Sequence, residues 1–118
     1  MTANANLKSG FTRLHGLASA RGLRGLTQST SDGAPALAVA DNVFVHMLDA
    51  DIAVLQCPVD QKVLLMEISP GIYFETEPYI GKDAMLIRLD RIDDEELSLR
   101  LHDAWEFKAP DRLKQGRD

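Results

Sequence analysis

Leu7, Phe11, Leu14 and Ala18 recur three and four residues apart, which predicts an amphipathic helix over residues 6–21. Gly10 and Gly16 each weaken that helix by about 1 kcal/mol relative to Ala, so it depends on packing to persist. Gly22 and Gly25 are its stop signals. From Leu26 the period changes to two. Leu26–Ser31 reads as a short polar edge strand, and residues 36–39, 43–48 and 52–57 as stronger strands rich in apolar and β-branched side chains. The connections Ala40-Asp41-Asn42 and Asp49-Ala50-Asp51 are too short for parallel crossovers, so this part is expected to be an antiparallel meander. Pro58 suits the first turn of a second helix, with Val63, Leu64 and Ile68 as its apolar side and Pro70-Gly71 as its end. A brief strand is expected over 72–75, an irregular loop around Pro78 and Gly81, and a last strong strand over 84–89. Asp93 followed by Glu96 is an N-terminal capping signature. Leu97, Leu101, Ala104, Trp105 and Lys108 then share one helical stripe, and Glu96 and Arg100 have the spacing of a supporting ion pair. Pro110 stops this helix.

Helices at both ends with strands between them imply an α+β fold, a two-layer sandwich whose antiparallel sheet is packed by the N- and C-terminal helices. The chain of 118 residues reads as one domain over 1–118, with residues 1–5 and 112–118 frayed. The second sheet face is less defined. Strict alternation sends Val43, Val45 and Met47 one way and Phe44, His46 and Leu48 the other, and both sides are largely apolar. Either loops and the terminal helix cover that second face, or a partner or second copy does.

Charge narrows the function classes. The net charge is −5, yet residues 1–31 hold four bases and no acid, whereas 32–118 hold nine bases and eighteen acids. Such an acidic body repels phosphate at long range and disfavours strong non-specific nucleic-acid binding. With one cysteine, no internal disulfide can form. No apolar run is long enough to cross a bilayer, and no export signal is visible, so no membrane partner and a cytoplasmic setting are expected.

The segment from Ile72 to Lys114 carries the most specific pattern: Tyr73, Phe74, Glu75 and Thr76, then Tyr79 and Gly81, Arg88 and Leu89, the acidic pair Glu95-Glu96 before Leu97, and Ala104-Trp105 ahead of Ala109-Pro110. Upstream stand Gly33-x-Pro35 and Asn42-x-Phe44. Together these positions resemble the MmcQ/YjbR family from Gly33 to Pro110, with Phe74, Thr76, Tyr79, Gly81, Arg88, Trp105 and Pro110 as the motif residues. Asn42 stands where the family has Lys, and Thr76-Glu77-Pro78-Tyr79 where it often has Thr-Pro-His-Tyr. The resemblance implies a compact α+β fold related in architecture to type III secretion chaperones, and the family's description as "double wing" DNA-binding proteins.

Candidate chemistry is sparse. His15, His46 and His102 are scattered without metal-ligand spacing. Cys57 has no basic neighbour to activate it and reads as an inert, partly buried thiol. The run Asp93–Glu96 is explained by the helix N-terminus it occupies. Glu75 and Glu77 lack a nearby nucleophile or phosphate-cradling loop. No cofactor is implied, and an enzyme is not expected. For DNA, the candidate contacts are Lys8, Arg13, Arg21 and Arg24 at one end and Lys108, Arg112, Lys114 and Arg117 at the other. If the ends meet, they would bind phosphates weakly and salt-sensitively, each contact adding about 0.9 to the log–log salt slope. Lys8 and Arg13 lie on different sides of the first helix, and Arg21 falls near its buried stripe. Leu99 and Phe107 project from the last helix as a small apolar patch. The sequence therefore predicts a non-enzymatic binding protein. DNA binding through the basic ends is the first expectation; the alternative is a protein- or peptide-binding or dimeric module using the apolar second sheet face.

Overall fold

The computed structural model describes residues 2–114, with side chains from residue 8 onward. Leu7 and Arg117, both named above, thus lie outside the described side chains. Helix α1 (Thr2–Ala20) is followed by strands β1 (Leu26–Ser31), β2 (Ala34–Val39), β3 (Asn42–Asp49) and β4 (Ile52–Gln56). Helix α2 (Val59–Ile68), β5 (Tyr73–Phe74), a 3-10 turn (Glu77–Tyr79), β6 (Ala84–Arg88), α3 (Asp94–Lys108) and a single turn α4 (Asp111–Lys114) complete the chain. The six strands form one fully antiparallel sheet in the order β1-β2-β3-β4-β6-β5. Helices α1 and α3 pack on each other and on one face of it, so the architecture is the expected two-layer α+β sandwich.

Local chemistry accounts for most of these elements. The β1–β2 turn is Asp32-Gly33 with φ of 51° and 83°, the pair of positive values that a two-residue hairpin requires. Ala40 and Asp41 turn β2 into β3 in the same way, at 50° and 69°. Asp93 caps α3, its Oδ1 accepting the Glu96 amide at 2.8 Å. Gly10 lies where α1 crosses β3: a Cβ there would stand 2.5 Å from Met47 Cε and 3.3 Å from the Ala50 carbonyl.

The main core joins Leu14 and Ala18 of α1, Leu97, Leu101, Ala104 and Trp105 of α3, and the facing sheet residues. Trp105 is buried, and its Nε1 donates to the Arg24 carbonyl at 2.8 Å. A smaller cluster on the opposite sheet face joins Val54, Ala84 and Leu86 to Ile52, Phe74 and Tyr79. The second face is therefore covered in part by the loop after β5, without the terminal helix, and its apolar floor does not lie open.

Several local expectations need correction. Register shifts opposite Leu37/Ala38 and Met47/Asp49 leave Phe44 and Leu48 as extra residues on β3. The first bulge turns Phe44 into the main core beside Val45 and Met47, overriding strict alternation. Val63, Leu64 and Ile68 do not face inward on α2; all are exposed. Glu96 does not pair with Arg100: it accepts the Tyr73 hydroxyl, and Arg100 pairs with Asp103 at 3.2 Å. Residues 2–5 are helical, and residues 112–114 belong to α4, whose Leu113 packs on the core. Residues 115–118 lie outside the described residues.

Candidate functional site

Helix α2 has an inverted distribution of polarity. At 100° per residue, Gln61, Lys62, Leu65 and Met66 share the side toward the sheet, while Val59, Asp60, Val63, Leu64, Glu67 and Ile68 share the other. The central inward residue is Lys62, only 2% exposed. Its Nζ donates to the carbonyls of Tyr79 at 2.7 Å and Lys82 at 2.9 Å, and pairs with the Glu75 carboxylate at 2.6 Å. These oxygens belong to the loop between β5 and β6, so one ammonium group ties that loop to α2. The Asp83 carboxylate accepts the Val59 amide at 3.2 Å and fixes the other end of the loop.

Leu65 and Met66 pack on the core beside Lys62, and the other apolar residues of α2 point to water. Val63, Leu64 and Ile68 are 52%, 54% and 66% exposed, and Val59 and Ile80 are also exposed. Asp60 and Glu67 stand among them and are likewise exposed. Single exposed apolar residues are ordinary, but four on one ten-residue helix form a patch of the kind that marks a contact surface. The apolar side that the sequence predicts for α2, Val63, Leu64 and Ile68, is thus the side that faces water. The available signal was that α2 has apolar residues all round, so periodicity could not choose a side.

Polar side chains link α2 and β5 to α3. Gln61 Nε2 donates to Asp103 at 3.1 Å, and the Tyr73 hydroxyl donates to Glu96. Cys57 lies buried close by; burial, then the Asp103 charge, pushes its thiol up to about 11. The Tyr73 phenol is also held above its ordinary value, by burial first and the Glu96 hydrogen bond second. His46, on the second sheet face, is lowered by burial, with Asp32 opposing. A protonated thiol is a poor nucleophile, and Asp103 and Glu96 are each committed to a neighbour. An open cleft of about 360 Å³ lies between α1 and the β3–β4 turn, lined by Ser9, Gly10, Arg13, Asp51 and Asp90 among others. Among the described residues, no group of three or more His, Cys, Asp and Glu is placed to hold a metal.

The basic residues divide into two sets. Arg13 straps α1 to the loop after β6, donating to the carbonyls of Leu89 and Ile92 at 2.6 Å each and pairing with Asp94 at 2.7 Å. Lys8 is exposed nearer the start of α1, about 20 Å along the helix from Arg21 at 1.5 Å per residue. Neither belongs to a shared surface with the C-terminal bases. Arg21 is not near a buried stripe: α1 ends at Ala20, and Arg21 is exposed in the following turn. That turn meets α4, since Leu113 Cδ1 lies 2.9 Å from where a Cβ on Gly25 would be. Arg24, Arg112 and Lys114 are thereby carried on adjoining segments. The Lys108 carbonyl is held by Asn42 Nδ2 at 3.3 Å, and its Nζ sits 5.1 Å over the Phe107 ring. Lys114 pairs with Asp111 at 3.4 Å.

The sequence-motif residues are dispersed through the framework. Arg88 stacks 4.0 Å over the Phe74 ring, Thr76 and Tyr79 bound the 3-10 turn, and Gly81 has φ of 78° in the same loop. Trp105 lies in the core and Pro110 follows the C-cap of α3. Leu99 and Phe107 are exposed as expected. No helix among the described residues is long and apolar enough to cross a membrane.

No family model matches the chain, and no solved structure does. The chain is similar to uncharacterized proteins of Mycobacterium tuberculosis and Mycobacterium bovis, 37% identical over 54 residues. That stretch is 46% of this chain and 42% of each relative, so the match spans less than half the length of either.

Proposed function

We propose that the protein is a non-enzymatic, cytoplasmic binding protein that engages another protein through the outer face of α2. The observation that carries this reading is the inverted helix: Lys62 is buried, while Val63, Leu64 and Ile68 face water. Covering those three side chains would gain about 1 kcal/mol each, since roughly half of each is still exposed. Asp60 and Glu67 within the patch select an apolar partner segment bearing Lys or Arg, and disfavour a second α2, which would bring like charges together. The second sheet face, the earlier candidate for this role, has its apolar floor buried within the chain.

Site-specific photocrosslinking in cells tests the reading. A photoreactive residue at Val63 or Leu64 is expected to give a discrete adduct that Ile68→Glu abolishes, whereas one at the exposed Glu95 gives none. Equal labelling from all three positions would remove the basis for the proposal.

DNA contact is the second reading, favoured by one observation: the Gly25–Leu113 contact carries Arg24 and the α4 bases on adjoining segments. The motif resemblance to the MmcQ/YjbR family points the same way. On this reading, labelled duplex binds near 50 mM salt, and neutralising Arg24, Arg112 and Lys114 together abolishes binding. Binding that survives their neutralisation, or none at low salt, rejects it.

A further inference from the structure

The two edges of the sheet differ sharply. The β5 edge is two residues long, and its Tyr73 amide is already bonded to the Ser69 carbonyl. The β1 edge is six residues of sequence Leu-Thr-Gln-Ser-Thr-Ser, with no charge, no proline and residues 27–30 exposed. A six-residue edge with no charge, no proline and no bulge against β2 lacks the devices that most often block strand addition. We propose that β1 pairs antiparallel with β1 of a second copy, joining the two sheets across a two-fold axis.

Register and charge both select this occupant. The Asp32-Gly33 turn closes on the pair Ser31–Ala34, which in a two-residue hairpin is the hydrogen-bonded kind. Alternation then directs the backbone groups of Ser31, Ser29 and Thr27 toward β2, and those of Thr30, Gln28 and Leu26 outward. Outward groups on one copy must meet outward groups on the other. The centred solution places Gln28 opposite Gln28 of the partner subunit and Leu26 opposite Thr30 of the partner subunit. Beyond the strand ends the chain leaves the ladder, at Gly25 with φ of 72° and at Asp32 with φ of 51°, so the turn bearing Arg24 lies beside the turn bearing Asp32 of the partner subunit, twice by symmetry. The edge is thus self-complementary in hydrogen bonds and in flanking charge. A foreign strand would find no such charge match.

The test uses the full chain. Sedimentation equilibrium is expected to give a dimer mass that Gln28→Lys converts to monomer, because two ammonium groups then meet at the axis. Thr27 and Ser29 of the partner subunit form a non-hydrogen-bonded pair in this register, with Cα atoms about 4.5 Å apart, within disulfide reach. An oxidised mixture of Thr27→Cys and Ser29→Cys chains should therefore give a covalent dimer, containing both variants, far above the yield of either alone. The native Cys57 is buried and does not compete. A monomeric mass up to about 1 mM, a dimer unaffected by Gln28→Lys, or equal crosslinking of single and mixed variants overturns the proposal. None of these outcomes bears on the α2 face, so the two readings fail separately.

Discussion

Lys62 and Glu75 form an ion pair at 2.6 Å in which the lysine is 2% exposed and the carboxylate a quarter exposed. The ammonium group also satisfies two loop carbonyls, so its role is to fix the segment between β5 and β6 against α2. Burying a charge is tolerated here because two carbonyls accept from the ammonium group and the Glu75 carboxylate balances its charge.

Replacing Lys62 with Met keeps the volume but leaves the Tyr79 and Lys82 carbonyls and the Glu75 carboxylate without their donor. The expected loss is about 3 kcal/mol, toward the low end for a broken buried pair because Glu75 can reach water. Glu75→Gln retains both carbonyl bonds and should cost about 1 kcal/mol. Urea unfolding followed by Trp105 fluorescence measures both. Amide exchange at Tyr79, Ile80 and Lys82 should accelerate in Lys62→Met. Similar small losses from both substitutions would mean the lysine does not hold the loop.

Gly10 and Gly16 share a helix but not a neighbourhood. Nothing lies within 4 Å of a Cβ added at Gly16, so Gly16→Ala should add about 1 kcal/mol of stability from helix propensity. At Gly10 the same intrinsic gain is opposed by Met47, which is buried, and by the Ala50 carbonyl at 3.3 Å. Gly10→Ala should therefore fall short of Gly16→Ala by about 1 kcal/mol or more. Equal gains in thermal unfolding would show that α1 does not approach β3 so closely.

Features fixed by neighbours in sequence were legible before the fold was known. The turn at Ala40 and Asp41, the Asp93 cap and the stripe Leu97, Leu101, Ala104 and Trp105 each follow from local spacing, and each stands where expected. Features fixed by partners far along the chain were not legible. Phe44 enters the core because β3 carries one residue more than β2 opposite it, which alternation within β3 cannot reveal. The side of α2 that turns inward depends on carbonyls seventeen and twenty residues beyond Lys62. Leu113 docks on the turn at Gly25, a contact that a short polar tail did not suggest. The candidate site was thus misread for one physical reason: a helix with apolar residues all round leaves the choice of buried face to its tertiary partners.

Ala40 occupies the left-handed region with φ of 50°, where an L side chain costs about 1–2 kcal/mol and glycine does not. Ala40→Gly removes that strain but enlarges the unfolded ensemble by about 0.4–1 kcal/mol. A net gain of roughly 0.5–1 kcal/mol is expected from the difference. Ala40 is exposed, so no packing is lost. A decrease in the urea midpoint would show that the β2–β3 turn adopts another conformation.

Stability should fall on the alkaline side, and Cys57 sets where the fall begins. Burial raises its thiol from 9.0 to about 11. Below pH 9 the thiol is protonated whether the chain is folded or not, and it contributes no pH dependence. Between about 9 and about 11 the unfolded chain releases this proton while the folded chain keeps it, so the folded state binds more protons and loses stability as pH rises. The Tyr73 phenol, also raised, extends the decline beyond pH 10. Cys57→Ala should flatten the first part of the curve and Tyr73→Phe the later part, each measured against the parent chain by urea unfolding from pH 7 to 11. The same burial predicts that a thiol-specific aromatic disulfide reacts with Cys57 only as fast as the chain opens. Rapid modification at pH 8 would place Cys57 in water, and unfolding curves that the two substitutions leave parallel to the parent would place both groups there.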